Sequence, residues 1–229
     1  MIDRLKSGYD AFERRWRQSA GGDLSAPGAR RSALWHFHLM DHAFLRVFWS
    51  NMAQVAPGVW RSNQPDDRRL KRYRDMGIKT VLSLRGDKPS SHLALERATC
   101  ARLGLTFEVA SIGARRLVPA DRVLHLLDLF ETVERPFVMH CKSGADRAGL
   151  AAALYLMHIE GRPVEEAAKQ LSMRFLHSRR GATGLLDHML DAYAADTAKE
   201  PMPIRTWIET RYDKHALEDE YRALQAKGG

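Results

Sequence analysis

The sequence is short of several things that usually narrow a reading. It has two cysteines in 229 residues, too few for a disulfide framework, and this fits a reducing compartment. No apolar run reaches the roughly 18 residues that a membrane span needs. The opening Met1–Lys6 leads into charged, helix-like sequence and not into an apolar segment with a small-residue cleavage site, so no signal peptide is expected. Acidic residues are in the minority, 28 Asp and Glu against 36 Lys and Arg, for a formal net charge of +8. That balance attracts polyanions and phosphorylated substrates. No nucleic-acid motif or interleaved aromatic platform accompanies it, so no nucleic-acid partner is expected. The densest basic stretch runs from Arg61 to Arg74, with six basic residues and two acidic ones, and reads as a solvated helix face. Repeats and low-complexity segments are also absent.

What is present is an alternation of strand-like and helix-like patterns, which predicts an α/β fold with a mostly parallel central sheet flanked by helices. A strand opens at Val59 to Arg61. A helix follows from Pro65 and Asp66 to Met76 and stops at Gly77, and Lys79 to Leu84 reads as a buried strand. The pattern repeats with helix Ser91 to Leu103, strand Thr106 to Ala110 and helix Ala120 to Glu134. Pro136 then leads into another strand, and helices are expected over Ala148 to Glu160, Pro163 to Leu176 and Thr183 to Ala195. Three segments result: an N-terminal helical extension with a linker over 1–54, a catalytic domain over 55–197, and a C-terminal helical extension over 198–229.

The chemistry concentrates in Val138-Met139-His140-Cys141-Lys142-Ser143-Gly144-Ala145-Asp146-Arg147-Ala148-Gly149. Five residues separate Cys141 from Arg147, immediately after an apolar strand and immediately before a helix. Backbone N–H groups of such a loop can converge on one point, and the helix adds its positive N-terminal end there. The phosphate-binding set is therefore Lys142, Ser143, Gly144, Ala145, Asp146 and Arg147. The same field favours the thiolate of Cys141, a nucleophile. Gly144 permits torsions that a Cβ forbids. Arg147 offers a planar fork to two phosphate oxygens. His140 is placed to orient Cys141, and Asp146 is a candidate general acid for the leaving oxygen.

At these residues the chain resembles the protein tyrosine and dual-specificity phosphatase superfamily, whose signature is His-Cys, five residues, then Arg. Gly58-Val59-Trp60-Arg61-Ser62-Asn63-Gln64-Pro65 and Val81-Leu82-Ser83-Leu84-Arg85-Gly86 look like the first strands of its bacterial dual-specificity-like branch. The resemblance implies a dual-specificity-like fold and a metal-free, cofactor-free phosphomonoesterase that works through a phosphocysteine intermediate. Its substrate would be phosphotyrosine or another phosphoprotein, or a phosphorylated lipid, sugar or inositol. Two departures stand out. Ala148 replaces the Ser or Thr that usually follows the arginine and assists hydrolysis of phosphocysteine. The stretch 111–119, where many relatives carry their general acid, has no carboxylate. Some relatives use an Asp one place before the arginine, which favours Asp146 over Asp121 and Asp87. The alternatives are a phosphate-binding pseudophosphatase and, fitting the frame less well, sulfur-transfer or arsenate-reducing chemistry.

The remaining features weigh less. Arg115 and Arg116 are candidate substrate contacts in the segment expected to border the loop. Cys100 falls in an Ala- and Leu-rich helix, where a buried, inert thiol is the expectation. The aromatic segment 34–49 is a candidate for peripheral contact with a membrane, on the inner face of a cytoplasmic location, or for packing on the domain. His38 and His42 share a helical face within it but lack an acidic or cysteine partner, so no metal site is expected.

Overall fold

The computed structural model describes residues 49–227. Five strands form one sheet: β1 (Ala53–Ala56), β2 (Val59–Asn63), β3 (Thr80–Ser83), β4 (Thr106–Val109) and β5 (Phe137–Cys141), in spatial order β1-β2-β5-β3-β4. β2, β5, β3 and β4 run parallel, and β1 is an antiparallel edge. β1 was not expected, being short and only partly buried. The strand carrying the signature is central, and every residue of it is buried.

The helices are α1 (Asp67–Asp75), α2 (Ser91–Leu103), α3 (Ala120–Thr132), α4 (Asp146–His158), α5 (Val164–Ala167), α6 (Leu185–Lys199), α7 (Ile204–Thr210) and α8 (Lys214–Lys227). α1 begins where the Asp66 side chain accepts from the Arg69 amide at 2.8 Å, an N-cap. α2 ends where Gly104 turns left-handed at φ +70°. The two-residue period of β5 sorts its side chains between two cores. Phe137, Met139 and Cys141 join the core built with α3, α4, α6, α7 and α8, whereas Val138 joins Leu70, Tyr73 and Cys100 of α1 and α2 on the other face. α4 is buried continuously from Ala148 to Met157, which its small Ala and Gly residues allow at close range.

Three expectations need correction. The helix expected over Pro163 to Leu176 is broken. Only Val164–Ala167 is α-helical, followed by 3₁₀ turns at Ala168–Gln170 and Met173–Phe175, with Leu176 left-handed at φ +60°. The apolar periodicity there is overridden because Gln170 and Phe175 are both engaged by Arg61. Arg61 itself is no part of a solvated face, since it is wholly buried, although Arg68, Lys71, Arg72 and Arg74 are exposed as expected. The single C-terminal helical pattern is two helices, and Ile204, Trp207, Ile208 and Leu217 enter the main core. Residues 1–48, with His36, His38, His42 and nearly all of the aromatic segment, lie outside the described residues.

Candidate active site

β5 delivers Cys141, 1% exposed, to the carboxyl end of the sheet, and α4 starts five residues later. Every carbonyl of the intervening turn is held from outside. Lys142 O accepts from the Gln64 amide at 3.3 Å, Ser143 O from Asn51 Nδ2 at 3.1 Å, and Gly144 O and Ala145 O from Arg61 Nη2 at 2.7 and 3.0 Å. In a trans peptide the N–H points away from the C=O. The amides of Ser143, Gly144, Ala145 and Asp146 therefore turn inward, to the side of the nucleophile. The Gly144 amide donates to Cys141 Sγ at 3.2 Å, as this geometry requires. The loop also presses on β2. Gly144 has φ +73°, and a Cβ there would stand 2.8 Å from the backbone of Ser62 and Asn63, so only glycine fits.

Arg61 is the strut behind this loop. Its Nη1 donates to the Gln170 carbonyl at 2.6 Å and to the Gln170 side-chain oxygen at 2.9 Å. Its guanidinium lies 3.8 Å from the centre of the Phe175 ring, a cation–π contact. Burial pulls its pKa down to about 10, with Arg174 adding to the drop and Cys141 and Asp146 opposing it. It stays charged near neutrality. Asn51 is left-handed at φ +46° and bonds Phe175 O at 3.0 Å as well as the loop. Arg61 and Asn51 thus clamp the signature turn to the 170–175 segment.

Two signature side chains, those of His140 and Asp146, meet buried partners outside the turn. His140 faces α2, with Nδ1 3.4 Å from the Cys141 carbonyl and Nε2 2.8 Å from Glu96 Oε1. The two atoms of the second contact are close but do not meet on a hydrogen-bond axis. Glu96 is 3% exposed and also accepts from Gln64 Nε2 at 2.7 Å, while Gln64 Oε1 accepts from Arg85 at 2.9 Å. Asp146 Oδ1 lies 2.8 Å from Nδ1 of His177, and Nε2 of that ring lies 2.7 Å from Asp187 Oδ2. His177 is 1% exposed. Burial works against its charge, but the bonds to Asp146 and Asp187 prevail and raise its pKa to about 9.

Residues 53–196 match the family described as PTP-SAK, Swiss Army Knife protein, DSP-PTPase phosphatase domain. The chain belongs to this family. The PTP-SAK domain is 29% identical over 146 residues to the dual specificity protein phosphatase TpbA of Pseudomonas aeruginosa UCBPP-PA14, and 28% identical to that of strain PAO1. Each match covers 63% of this chain and 60% of the relative, so it spans less than two thirds of those proteins. In fold it resembles a Shewanella putrefaciens CN-32 protein of the DUF442 group, at 16% identity and a TM-score of 0.51 over 64% of this chain and 90% of that one. It also resembles Tk-PTP, at 19% identity and a TM-score of 0.50 over 63% and 98%.

Within the PTP-SAK domain, Arg147 is partly buried, and its guanidinium takes no protein partner among the described residues. Asp121 projects from the start of α3 with its side chain 75% exposed, 3.9 Å from Arg122, and Asp87 is exposed on the loop after β3. Neither has the tie to the signature turn that Asp146 has by sequence and by fold. Arg115 and Arg116 are exposed and line a cleft of about 650 Å³ whose far wall is α8, with Lys214, His215 and Glu218. Glu218 Oε1 accepts from the Leu117 amide at 2.8 Å and Tyr212 donates to Val118 O at 2.7 Å, so the C-terminal helices hold the 111–119 segment. Cys100 is fully buried, and burial with Glu96 and Asp67 nearby pushes its thiol up to about 12, which makes it inert. Ala148 is wholly buried. No cluster that could hold a metal ion occurs among the described residues. Sequence reasoning missed Arg61, Asn51, Glu96 and His177. An arginine alternating with Val59 in a central strand was the one available signal, for Arg61.

Proposed function

We propose that this chain hydrolyses phosphate monoesters through a phosphocysteine intermediate. Cys141 Sγ attacks phosphorus, forming the S–P bond as the ester P–O bond breaks, and the departing oxygen takes a proton from Asp146. Water then breaks the S–P bond and returns a proton to Asp146, releasing inorganic phosphate and the thiolate. Arg147 and the inward amides from Ser143 to Asp146 bind the phosphoryl oxygens and gain strength as charge gathers on them. The observation that carries this proposal is the set of four loop carbonyls bonded from outside, which turns the four amides toward the nucleophile, where the Gly144 amide meets Cys141 Sγ and the Ala145 amide meets Ser143 Oγ.

The substrate class is a phosphoprotein, as the name of the TpbA relatives states for those proteins, or a phosphorylated lipid, sugar or inositol. Arg115 and Arg116 are proposed to meet the part of the substrate beyond the phosphate. A cytoplasmic location is proposed with it, the segment 34–49 serving either for peripheral membrane contact or for packing on the domain. Among the described residues no helix is long and apolar enough to cross a membrane. A second reading, a phosphate-binding pseudophosphatase, is favoured by Ala148 and by the absence of a carboxylate from 111–119.

The deciding experiment is phosphate release by the wild type, Cys141→Ser and Arg147→Lys. The panel holds a phosphotyrosine peptide, inositol phosphates, phosphoinositides, phosphatidylglycerophosphate and a phosphorylated glucosamine lipid. Release that Cys141→Ser abolishes and Arg147→Lys weakens at least tenfold is expected, because an ammonium cannot reproduce the guanidinium fork. Undiminished release by Cys141→Ser would sink the proposal. A silent wild type that still binds orthovanadate would establish the second reading.

A further inference from the structure

His177 lies outside the signature, 31 residues after Asp146, on the left-handed exit of the broken 163–176 segment. Both of its ring nitrogens are occupied by carboxylates, Asp146 at 2.8 Å and Asp187 at 2.7 Å, and the ring is almost fully buried. A buried neutral imidazole has one N–H donor and one acceptor nitrogen and would need a partner of each kind, whereas carboxylates only accept. Two carboxylates instead hold it as the imidazolium, because an unpaired buried carboxylate is costly and a charged ring between two of them is not. Asp187 is in turn 3.6 Å from Arg179 Nε, and the backbone of Arg179 accepts from Tyr221 of α8. The groups that face the ring are thus Asp146 from α4, Asp187 from α6 and, behind Asp187, Arg179 and Tyr221. Beyond Asp146 stand Arg61 and Cys141.

We infer that His177 is a positioning residue for the general acid: it orients the Asp146 carboxylate and supplies the proton that Asp146 hands to the leaving oxygen. This inference rests on the function proposed above. In the first step the ester P–O bond breaks, and the Nδ1 proton of the imidazolium passes through the Asp146 carboxylate to the leaving oxygen, so that Asp146 ends the step as a carboxylate. His177 is then neutral, with its Nε2 proton still on Asp187. In the second step attacking water gives a proton to Asp146, the Nδ1 proton is restored, and the S–P bond breaks. The ring ends as it began. This arrangement also supplies a ready acid although the stretch 111–119 has no carboxylate.

The test compares kcat/KM for phenyl phosphate, whose leaving group needs a proton, with that for 2,4-dinitrophenyl phosphate, whose leaving group does not. His177→Asn keeps a donor near the Nδ1 position but cannot titrate, and Asp187→Asn keeps the shape of the outer partner. For His177→Asn a loss of roughly 30-fold is expected on phenyl phosphate, within the range of general acid catalysis, with less than about threefold on the dinitrophenyl ester. Orthovanadate affinity should be unchanged, and the high-pH limb of the phenyl phosphate profile should move. Asp187→Asn should show the same preference with a smaller loss. Equal loss on both esters, no loss on either, or failure of both variants to fold would overturn the inference and leave a purely structural tie. If instead the wild type shows no Cys141-dependent turnover of the dinitrophenyl ester, the proposed function itself is what fails.

Discussion

Replacing Arg61 by methionine should disarm the site without touching it. Methionine keeps an unbranched, flexible stem that ends where the guanidinium begins, so the buried stem is retained while the donors are removed. Three backbone carbonyls lose a charged donor, Gly144 O, Ala145 O and Gln170 O, as does the side-chain oxygen of Gln170. Ala145 O retains the Gly149 amide at 2.9 Å, which leaves Gly144 O and Gln170 O as buried orphans. At about 1–3 kcal/mol for each orphaned group, the gross cost is about 2–6 kcal/mol. Removing a guanidinium that burial already disfavours, as its lowered pKa shows, returns part of this. A net loss of about 2–4 kcal/mol is expected in urea denaturation with an unchanged m-value. The functional loss should be larger in kind, because a carbonyl without a partner is free to rotate inward and turn its amide away from the anion. Orthovanadate affinity should fall at least tenfold, and phosphate release with it. A folded Arg61→Met protein that binds orthovanadate as tightly as the wild type would refute the view that outward bonding of the carbonyls is what presents the amides.

Two further outcomes follow from the same geometry. Gly144→Ala should cost more than the usual penalty for a side chain at positive φ, since its Cβ would meet the backbone of Ser62 and Asn63 at 2.8 Å; thermal denaturation should show it destabilised, and isothermal titration should show phosphate binding abolished. The charge on His177 should also be visible in stability. Its folded pKa of about 9 lies above the ordinary 6.5, so its contribution is complete below about pH 6.5 and fades as the pH rises through 9. Urea midpoints of the wild type should fall relative to those of His177→Asn between pH 7 and pH 9.5; parallel curves would mean that the ring is neutral throughout.

How much of this was legible in the sequence depended on distance along the chain. The signature could be read because its strand, its turn and its helix are contiguous, so local rules place Cys141, Gly144 and Arg147 together. The helix ends at Gly77 and Gly104 could be read because glycine terminates helices locally. Arg61 looked like the first member of a basic run because its partners, Gly144 and Gln170, are 83 and 109 positions away. His177 was hidden for the same reason. The segment before it has helical periodicity, and only tertiary bonds from Arg61 and Asn51 break that helix and bring the ring to Asp146. Glu96 was read as one more residue of an Ala- and Leu-rich helix, and nothing local marks it as the partner of His140.

The family match ends at residue 196, but the lattice of contacts does not. Tyr221 donates to the Gly181 carbonyl at 2.7 Å and to the Arg179 carbonyl at 3.3 Å. Gly184 is packed so closely beneath it that a Cβ would fall 1.9 Å from Arg179 O. Trp207 sits in the main core with its indole N–H on Asp196 at 2.7 Å. The last two helices therefore share one cooperative unit with the turn that carries His177 and the helix that carries Asp187. Amide exchange at the signature loop and along α8 should open together, as a single foldon. A change on the far side of the molecule, at Tyr221 or Leu217, would then act on the chemistry through the frequency of that opening and not through any contact with substrate.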